Sequence, residues 1–390
     1  MKWVTTAIAL GSSVWIVSPI LTLTACATQA DDPPQPKTAS VQKRAVTIRA
    51  DGALQKNGHP FFPVGFYHVS WKVSPTKQIK HLEEIAAAGF NLIHASATDF
   101  KSYATFLHRA KSLGVSVITE HHFDPITFTK YFKNEPAILA WNIADDVDGG
   151  RWTPAQVFQL HHQLRNVDPN HPTYISGYST RLQTFVQYAN VIGRQSYPIR
   201  FHTGAELART LPEIAEISSA LPDRPPRALL ANLQLFAWSA VPGQQGTAPD
   251  ALEVRNMTYQ ALLGGAKGLL YYTYYDSAWY LPDRPKLWDG LKSLNRQIKG
   301  LSPWLLNGRF QRLKFADERL KGGIWSLNGR HLTVILNTSQ HQGLPAKFLT
   351  PFPKAKTIKS LFQTKLPLQR SGETLHLIIP PKMVQVYEMS

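Results

Sequence analysis

The sequence predicts a (β/α)8 barrel followed by a small, sandwich-like all-β domain. Strand-like and helix-like segments alternate eight times over about 245 residues from Phe61 onward, which matches such a barrel in number and size. The helical periodicity stops at Arg309, and short apolar stretches separated by Gly, Pro and Asn follow. An open, doubly wound sheet is the alternative, but it usually has a glycine-rich phosphate turn after its first strand, and this sequence has none there.

Each predicted strand is a short run rich in β-branched and aromatic residues, and each is followed by apolar residues at helical spacing. The predicted barrel strands are 61–68, 90–96, 114–122, 137–148, 172–178, 191–199, 228–238 and 268–276. The predicted helices are 76–88, 103–113, 126–132, 153–167, 182–188, 206–220, 252–266 and 287–301. The predicted C-terminal strands are 323–326, 332–337, 346–349, 357–361, 375–379 and 383–387.

Residues 1–26 are predicted to be a lipoprotein signal peptide. Lys2 precedes an uncharged apolar run, and the segment ends in Leu-Thr-Ala-Cys, which resembles the lipobox of bacterial lipoproteins. The resemblance implies that Cys26, the only cysteine of the chain, receives a lipid. An uncleaved membrane anchor is the alternative, because the run is also long enough to span a bilayer. Either way the folded part is expected to be exported and held at a membrane, with the outer membrane or cell surface favoured because Ala27 follows the cysteine.

Three further segments complete the predicted organisation. Residues 27–45 contain Asp and Pro but few large apolar residues, which is typical of a flexible tether. Residues 46–306 hold the barrel, with a hairpin over 46–60, and residues 307–390 hold the β domain. The net charge of +16 favours contact with anionic surfaces, but the basic residues are scattered, so nucleic-acid binding is not expected.

The fourth predicted strand is the most informative segment for function. Side-chain alternation places Leu139, Trp141 and Ile143 on one face, and Asn142 and Asp146 on the other. Large apolar groups outward and small or polar groups inward suit a strand between a tight lumen and an outer layer of helices. The acid stands at the C-terminal tip, where such barrels place their chemistry. An ordinary buried strand that runs into a solvated acidic loop is the alternative.

The same alternation collects polar side chains at the C-terminal mouth of the predicted barrel. Buried polar groups cost free energy unless they bond each other or a ligand, so their clustering favours a binding site. Tryptophans that follow strand tips can stack on the faces of sugars. The candidate binding residues are His94, Asn142, Asp145, Tyr197, Asn232, Gln234, Trp71, Trp238 and Trp279.

Five motifs, in order along the chain, resemble those of the retaining glycoside hydrolases of the clan A barrel type. They include Gly89–Ile93 at strand two, Leu139–Asp146 at strand four and Ser196–Pro198 at strand six. The other two are Asn57–Gly65 before strand one and the helix and last strand over Met257–Tyr272. The resemblance implies a carbohydrate ligand, and it implies that Asp146 is the general acid/base.

The sequence offers two candidates for the second catalytic carboxylate. A retaining mechanism needs two carboxylates about 5–5.5 Å apart. The resemblance implies a nucleophile at the tip of strand seven, where Gln234 stands instead of an acid. Glu120 and Asp276 are the candidates for the second carboxylate, and a wider separation would favour an inverting mechanism.

The predicted function is therefore hydrolysis of a polysaccharide or oligosaccharide at the cell envelope, with an anionic glycan among the candidate ligands. No cofactor or metal is expected, because pairs such as His121-His122 lack the spacing of zinc sites. The missing carboxylate on strand seven favours an alternative, a catalytically inactive glycan-binding or envelope-assembly lipoprotein. A structural envelope protein with an unused barrel is the third hypothesis.

Overall fold

A computed structural model of the chain describes residues 45–349, 357–362, 366 and 368–390. The predicted signal peptide, with Cys26, and the predicted tether up to residue 44 lie outside the described residues. None of the helices within the described ranges combines the length and the apolar composition that a bilayer crossing needs.

Three short antiparallel strands stand before the barrel, where the sequence predicts a hairpin. Val46 and Leu54 from these strands pack in the same apolar cluster as Leu92 and Leu230, which line the barrel lumen. The small sheet therefore covers the N-terminal end of the lumen. Its strands are β1 (Val46–Ile48), β2 (Leu54–Lys56) and β3 (His59–Phe61).

Eight parallel strands then form the barrel, which confirms the predicted fold. Each strand pairs with the next one along the chain, and the last strand pairs both with the seventh and with the first, so the sheet is closed. The barrel strands are β4 (Val64–His68), β5 (Leu92–Ser96), β6 (Ser116–Glu120), β7 (Ile138–Ala144), β8 (Thr173–Gly177), β9 (Val191–Ser196), β10 (Ala228–Gln234) and β11 (Gly268–Asp276).

Helices follow the strands, and six of the eight begin at a Ser, Thr or Asp whose side chain caps the first turn. The Thr153 hydroxyl accepts the Gln156 N–H while the Gln156 side chain accepts the Thr153 N–H, which forms a capping box. Two 3₁₀ turns, Thr180–Thr184 and Val186–Tyr188, stand where the sequence predicted a helix over 182–188. The helices are α1 (Pro75–Ala87), α2 (Phe100–Ser112), α3 (Pro125–Phe132), α4 (Pro154–Val167), α5 (Gly204–Leu207), α6 (Thr210–Ala220), α7 (Ala251–Leu263) and α8 (Pro285–Asn307).

Strand β7 departs from simple alternation. Its pairing with β6 skips Leu139, and its pairing with β8 skips Ile143, so the strand carries two bulges. Leu139 consequently packs inside the lumen rather than on the outer face, where alternation had predicted it. Trp141 and Ile143 do pack in the outer cluster, and the second bulge brings Ala144 into that cluster as well.

The C-terminal segment forms two antiparallel sheets, as expected for a small β domain. One has the order β13-β14-β15-β20-β17 and the other the order β16-β19-β18. β12 (Trp279–Tyr280) pairs with the end of β11. The C-terminal strands are β13 (Arg309–Leu313), β14 (Leu320–Leu327), β15 (Arg330–Asn337), β16 (Leu344–Leu349), β17 (Ile358–Leu361), β18 (Gln369–Ser371), β19 (Thr374–Ile379) and β20 (Val384–Met389), of which β13 and β18 were not predicted.

A polar network joins the β domain to the barrel. The Gln340 side-chain amide donates to the buried Glu253 carboxylate at 2.8 Å. The same carboxylate lies 2.8 Å from Nδ1 of His202, which belongs to the loop after β9. Asn256 on α7 donates to the main-chain oxygen of Asn337 at 2.9 Å. The β domain thus contacts both a barrel helix and a loop that follows a barrel strand.

We predict that Gly65→Ala strongly destabilises the protein. A Cβ at Gly65 would lie 1.7 Å from the Leu92 carbonyl oxygen in the neighbouring strand, and that main-chain atom cannot swing away. The expected loss is about 3 kcal/mol or more in the free energy of unfolding, measured by denaturant titration.

Gly300→Ala is the matched control for that substitution. A Cβ at Gly300 on α8 would meet no described atom within 4 Å. Because alanine is the better helix former, this variant should gain about 0.5–1 kcal/mol. A Gly65→Ala protein as stable as the wild type would contradict the close pairing of β4 and β5.

Candidate active site

Two adjacent carboxylates at the tip of β7 share hydrogen-bond donors from the next two strands. Nε2 of Gln195 on β9 donates to Asp146 Oδ1 at 2.7 Å and lies 3.5 Å from Asp145 Oδ1. The Ser176 hydroxyl on β8 donates to Asp145 Oδ1, and it accepts from the same Gln195 nitrogen at 3.0 Å. The backbone of Asp146 has a left-handed conformation, with φ of 50°. The carboxylates of Asp145 and Asp146 therefore both face the Gln195 amide. Three strand tips therefore converge on a single acidic cluster.

Glu120 at the tip of β6 completes this cluster, and we call Glu120, Asp145 and Asp146 the carboxyl cluster. The Ser96 hydroxyl on β5 donates to Glu120 Oε2 at 2.6 Å. Burial raises the pKa of Glu120, and the charge of Asp146 adds to the rise although the Ser96 hydroxyl opposes it. The three carboxyl groups are therefore close enough to influence one another's ionisation.

The pKa values of the two aspartates rise for the same reasons. Burial raises the pKa of Asp145 well above its usual range, and the charges of Asp146 and Glu120 raise it further. Burial also raises the pKa of Asp146; the Gln195 amide opposes this rise and the Asp148 charge supports it. Carboxyl groups of this kind hold protons at higher pH than exposed ones, as a proton donor must.

A buried polar layer lies in the lumen below the cluster. The hydroxyls of Tyr67 and Tyr174 are 2.7 Å apart, and the Asn232 amide donates to them at 3.1 and 2.8 Å. His94 stacks on Tyr67 with ring centres 4.1 Å apart, and its Nε2 is 3.1 Å from the Asn142 amide nitrogen. Burial lowers the pKa of His94 to about 3, so this ring is neutral at ordinary pH.

Two oxygen atoms of this layer have unused acceptor capacity. Oδ1 of Asn142 and Oδ1 of Asn232 are buried and have no hydrogen-bond partner among the described atoms. Buried acceptors without partners are rare in native proteins, because each forfeits its bond to water. Both oxygens therefore keep acceptor capacity that no described protein atom uses.

Asp276 at the end of β11 has a different environment from the carboxyl cluster. It accepts from the Tyr272 hydroxyl at 2.9 Å and forms an ion pair with Lys72 at 3.2 Å. Burial alone would raise the pKa of Asp276, but the Tyr272 hydroxyl, the Lys72 charge and the Ser277 N–H together lower it. Asp276 is therefore an ionised group whose oxygens are already engaged.

Gln234 lies at the tip of β10, where a nucleophile was expected from the resemblance, but its amide is engaged by the main chain. Oε1 accepts the Ile199 N–H at 2.8 Å, and Nε2 donates to the Ile199 and Phe236 oxygens at 2.7 and 3.1 Å. The side chain is completely buried. Its bonds attach the loop after β9 to the end of β10.

The aromatic candidates differ in exposure. Trp71 is 52% exposed after β4, whereas Trp279 is buried and lies under the Arg284 guanidinium at 5.0 Å. Tyr197 and Trp238 are half-buried and lie on either side of Phe236, with ring centres 5.4 and 5.1 Å from it. Trp71 thus exposes much of its ring to solvent, whereas Tyr197, Trp238 and Trp279 pack against neighbouring side chains.

Several residues at the mouth were not predicted. Ser176 and Tyr174 come from β8, from which no candidate was drawn, although alternation over 173–177 puts both on the lumen side. Tyr178 and Phe201 follow β8 and β9 and are 41% and 61% exposed. Their positions after strand ends were the available signal for a place at the rim.

The described residues contain no group of three or more His, Cys, Asp or Glu side chains that could hold a metal ion.

Comparison with solved structures shows which proteins share this architecture. A glycoside hydrolase family 5 protein from Bacteroides vulgatus superposes with a TM-score of 0.62 at 13% identity, over 86% of this chain and 93% of that one. An alpha-amylase from Geobacillus thermoleovorans, complexed with acarbose, gives 0.57 at 14% identity, over 88% and 99%. A family 30 subfamily 8 xylanase from Clostridium acetobutylicum gives 0.53 at 12% identity, over 90% and 98%.

The chain has the barrel fold of glycoside hydrolases. The predicted resemblance is therefore confirmed at the level of fold. No family model matches the sequence, and the search of curated proteins gives no match. Identities this low establish the fold alone.

We predict that Asp145→Asn stabilises the protein, and does so more strongly as the pH rises. A carboxyl group whose pKa is raised by folding contributes most stability below its unfolded value, near 4, and loses that contribution as the pH rises through its folded value. Asparagine does not ionise and can still accept from Ser176. The difference in melting temperature between variant and wild type should therefore grow from pH 4 to pH 8.

Asp99→Asn is the control of opposite sign. Asp99 caps α2 by accepting the Ser102 N–H at 2.8 Å, and that bond lowers the pKa of its carboxyl. Its replacement should cost more stability at pH 8 than at low pH. A pH-independent difference for Asp145→Asn would contradict the raised pKa of Asp145.

Proposed function

We propose that this protein hydrolyses a glycosidic bond of a polysaccharide or oligosaccharide, with Asp146 as general acid/base. The carboxyl cluster carries the proposal, because three acidic side chains from two strands meet at the C-terminal mouth of a barrel that glycoside hydrolases share. The exposed Trp71 and the half-buried Trp238 at the same end offer surfaces on which sugar rings stack.

Asp146 has the properties that protonation of a leaving group requires. Asp146 is partly exposed rather than buried, which gives a substrate oxygen access to the residue. Burial raises its pKa, and the Gln195 amide fixes one oxygen at 2.7 Å. The proton passes from Asp146 to the glycosidic oxygen as the bond to the anomeric carbon breaks.

Glu120 is the better partner for Asp146 among the two predicted candidates. Glu120 and Asp146 influence each other's ionisation, so a proton on one favours the charged form of the other. Asp276, by contrast, is held by Lys72, Tyr272 and Ser277. An ionised Glu120 either attacks the anomeric carbon itself or activates a water molecule for that attack.

Binding of a glycan without cleavage is the second candidate function. Gln234, at the tip of β10, supplies no carboxylate, and its amide is engaged by Ile199 and Phe236. A glycan array combined with an assay for new reducing ends separates the two functions. Binding without release of reducing ends would favour the second.

We predict that Asp146→Asn lowers kcat on polysaccharide by about 10²–10⁴-fold, the usual contribution of a general acid, and leaves KM nearly unchanged. The loss should be smaller on a dinitrophenyl glycoside, because that leaving group departs without a proton. Glu120→Gln should lose activity on both substrates, since the second carboxylate is needed for either. Release of reducing ends and of dinitrophenolate gives the two rates.

Asp223→Asn removes an exposed carboxylate before β10 and serves as the control that keeps wild-type rates. Circular dichroism checks that each variant is folded. Full activity of Asp146→Asn on polysaccharide would exclude this residue as the acid.

The proposed enzyme is exported and anchored at the cell envelope by a lipid on Cys26. The proposal is supported by the sequence Leu-Thr-Ala-Cys after an uncharged apolar run. A lipid anchor would hold the barrel near envelope polysaccharides, and the net charge of +16 would favour contact with an anionic surface.

We predict that Cys26→Ser abolishes incorporation of labelled palmitate and removes the protein from the outer-membrane fraction of a sucrose gradient. Ser40→Ala, which changes a residue of the predicted tether outside the Leu-Thr-Ala-Cys motif, should leave both unchanged. Palmitate labelling that persists in Cys26→Ser would rule out this anchor.

A further inference from the structure

We infer that the glycan carries a carboxylate, as a uronic acid does, and that Arg200 at the rim of the mouth binds it. This inference rests on the proposed glycan site and names its substrate class. Three segments, namely the end of β10, the loop after β9 and the loop after β10, immobilise this arginine.

The main chain at Arg200 is fixed from below by Gln234. Ile199, the preceding residue, is buried, and the Gln234 amide bonds both its N–H and its carbonyl oxygen, at 2.8 and 2.7 Å. A two-point bond of this kind sets both the position and the direction of the main chain. The glutamine at the tip of β10 thereby fixes where the Arg200 side chain begins.

The loop after β10 fixes the same residue from the other side. The Thr247 N–H donates to the Arg200 carbonyl oxygen at 3.0 Å. Gly246 has φ of +126°, and a Cβ there would lie 2.5 Å from Arg200 Cγ. Only glycine permits so close an approach, so the loop is shaped around this arginine.

The guanidinium group is held by neutral partners. Its carbon lies 4.8 Å from the centre of the Trp238 ring, and Nη2 donates to Gln244 Oε1 at 2.8 Å. No ion pair of Arg200 occurs within the described part of the chain, in contrast to Arg209 with Glu213 or Lys72 with Asp276. A fixed, half-buried cation without a counter-charge is suited to a carboxylate, which matches the planar donor pattern of arginine.

An aromatic row connects this cation with the carboxyl cluster. Trp238 is 5.1 Å from Phe236, and Phe236 is 5.6 Å from Tyr272, measured between ring centres. The Tyr272 hydroxyl donates to Asp276 at 2.9 Å. Its pKa is raised by burial, by Asp276 and, to a smaller extent, by the charges of Asp145 and Asp146. Phe236 is buried between its two neighbours, whereas Trp238 and Tyr272 are partly exposed. These two rings offer surfaces along which a glycan would extend from the reacting bond to Arg200.

Charge decides where along this row an acidic sugar belongs. The carboxyl cluster disfavours another negative group at its own end of the row, because like charges repel most strongly where water is excluded. The arginine attracts such a group at the outer end. The arrangement therefore fits a uronate placed away from the cleaved bond.

The test is a glycan array of the full-length protein against uronate-containing oligosaccharides. Each is printed beside its carboxyl-reduced form, in which a hydroxymethyl group replaces the carboxylate. Wild-type protein should bind at least one acidic member about tenfold or more tightly than its reduced form, as expected for a charge-assisted hydrogen bond. Arg200→Gln should remove that difference, and Arg200→Lys should keep only part of it.

Arg296→Gln is the matched control, because it removes the same charge from the exposed surface of α8 and should keep the full difference. The inference is overturned if the wild type binds no acidic member, if it binds reduced forms equally well, or if Arg200→Gln still discriminates. Acidic glycans bound but not cleaved would overturn the proposed hydrolysis and leave this inference standing. Cleavage of neutral glycans without a preference for acidic ones would overturn this inference and support the proposed hydrolysis.

Discussion

The bulge of β7 at Ile143 and the left-handed backbone of Asp146 are the constraint on which the site depends. A regular strand would direct either Asp145 or Asp146 into the lumen and the other side chain away from it. Here Ile143 is skipped in the pairing with β8, and Asp146 turns left-handed, so that both carboxylates face Gln195. Strand irregularities next to a functional site commonly redirect a side chain in this way. The gathering of acids is thus a property of the strand's backbone as much as of its sequence.

The acidic groups at the mouth have two different environments, and Gln234 belongs to neither of them. The carboxyl cluster holds groups with raised pKa values, whereas Asp276 stays ionised next to Lys72. Gln234 joins the loops after β9 and β10 and adds no charge to either environment. The position expected to carry a nucleophile instead supports loop structure, which is why the catalytic proposal draws on Glu120.

The barrel could be predicted because each strand is a short apolar run that can be recognised from its own residues. Trp141, for example, packs in the outer cluster as alternation predicts. The bulge at Leu139 could not be predicted, since strict alternation assigns the Leu139 side chain to the outer face and the structure places it in the lumen. The identity of Gln234 was visible, but its bonds to Ile199 join residues 35 positions apart. A hydrogen bond from a side chain to a main chain so far away cannot be recognised from local sequence. The attachment of the loop after β9 to Gln234 was therefore not predicted.

The junction through Glu253 has a consequence for how the two parts of the fold depend on each other. Gln340, from the β domain, and His202, from a barrel loop, meet on one buried carboxylate, and Asp250 caps the helix that bears it. Removing the β domain would take away the Gln340 amide that donates to Glu253, and it would expose the face of α7 that packs against the β domain. The barrel and the β domain therefore depend on each other. Replacing the β domain with an unrelated one would change the contacts of the loop after β9 and so the shape of the barrel mouth.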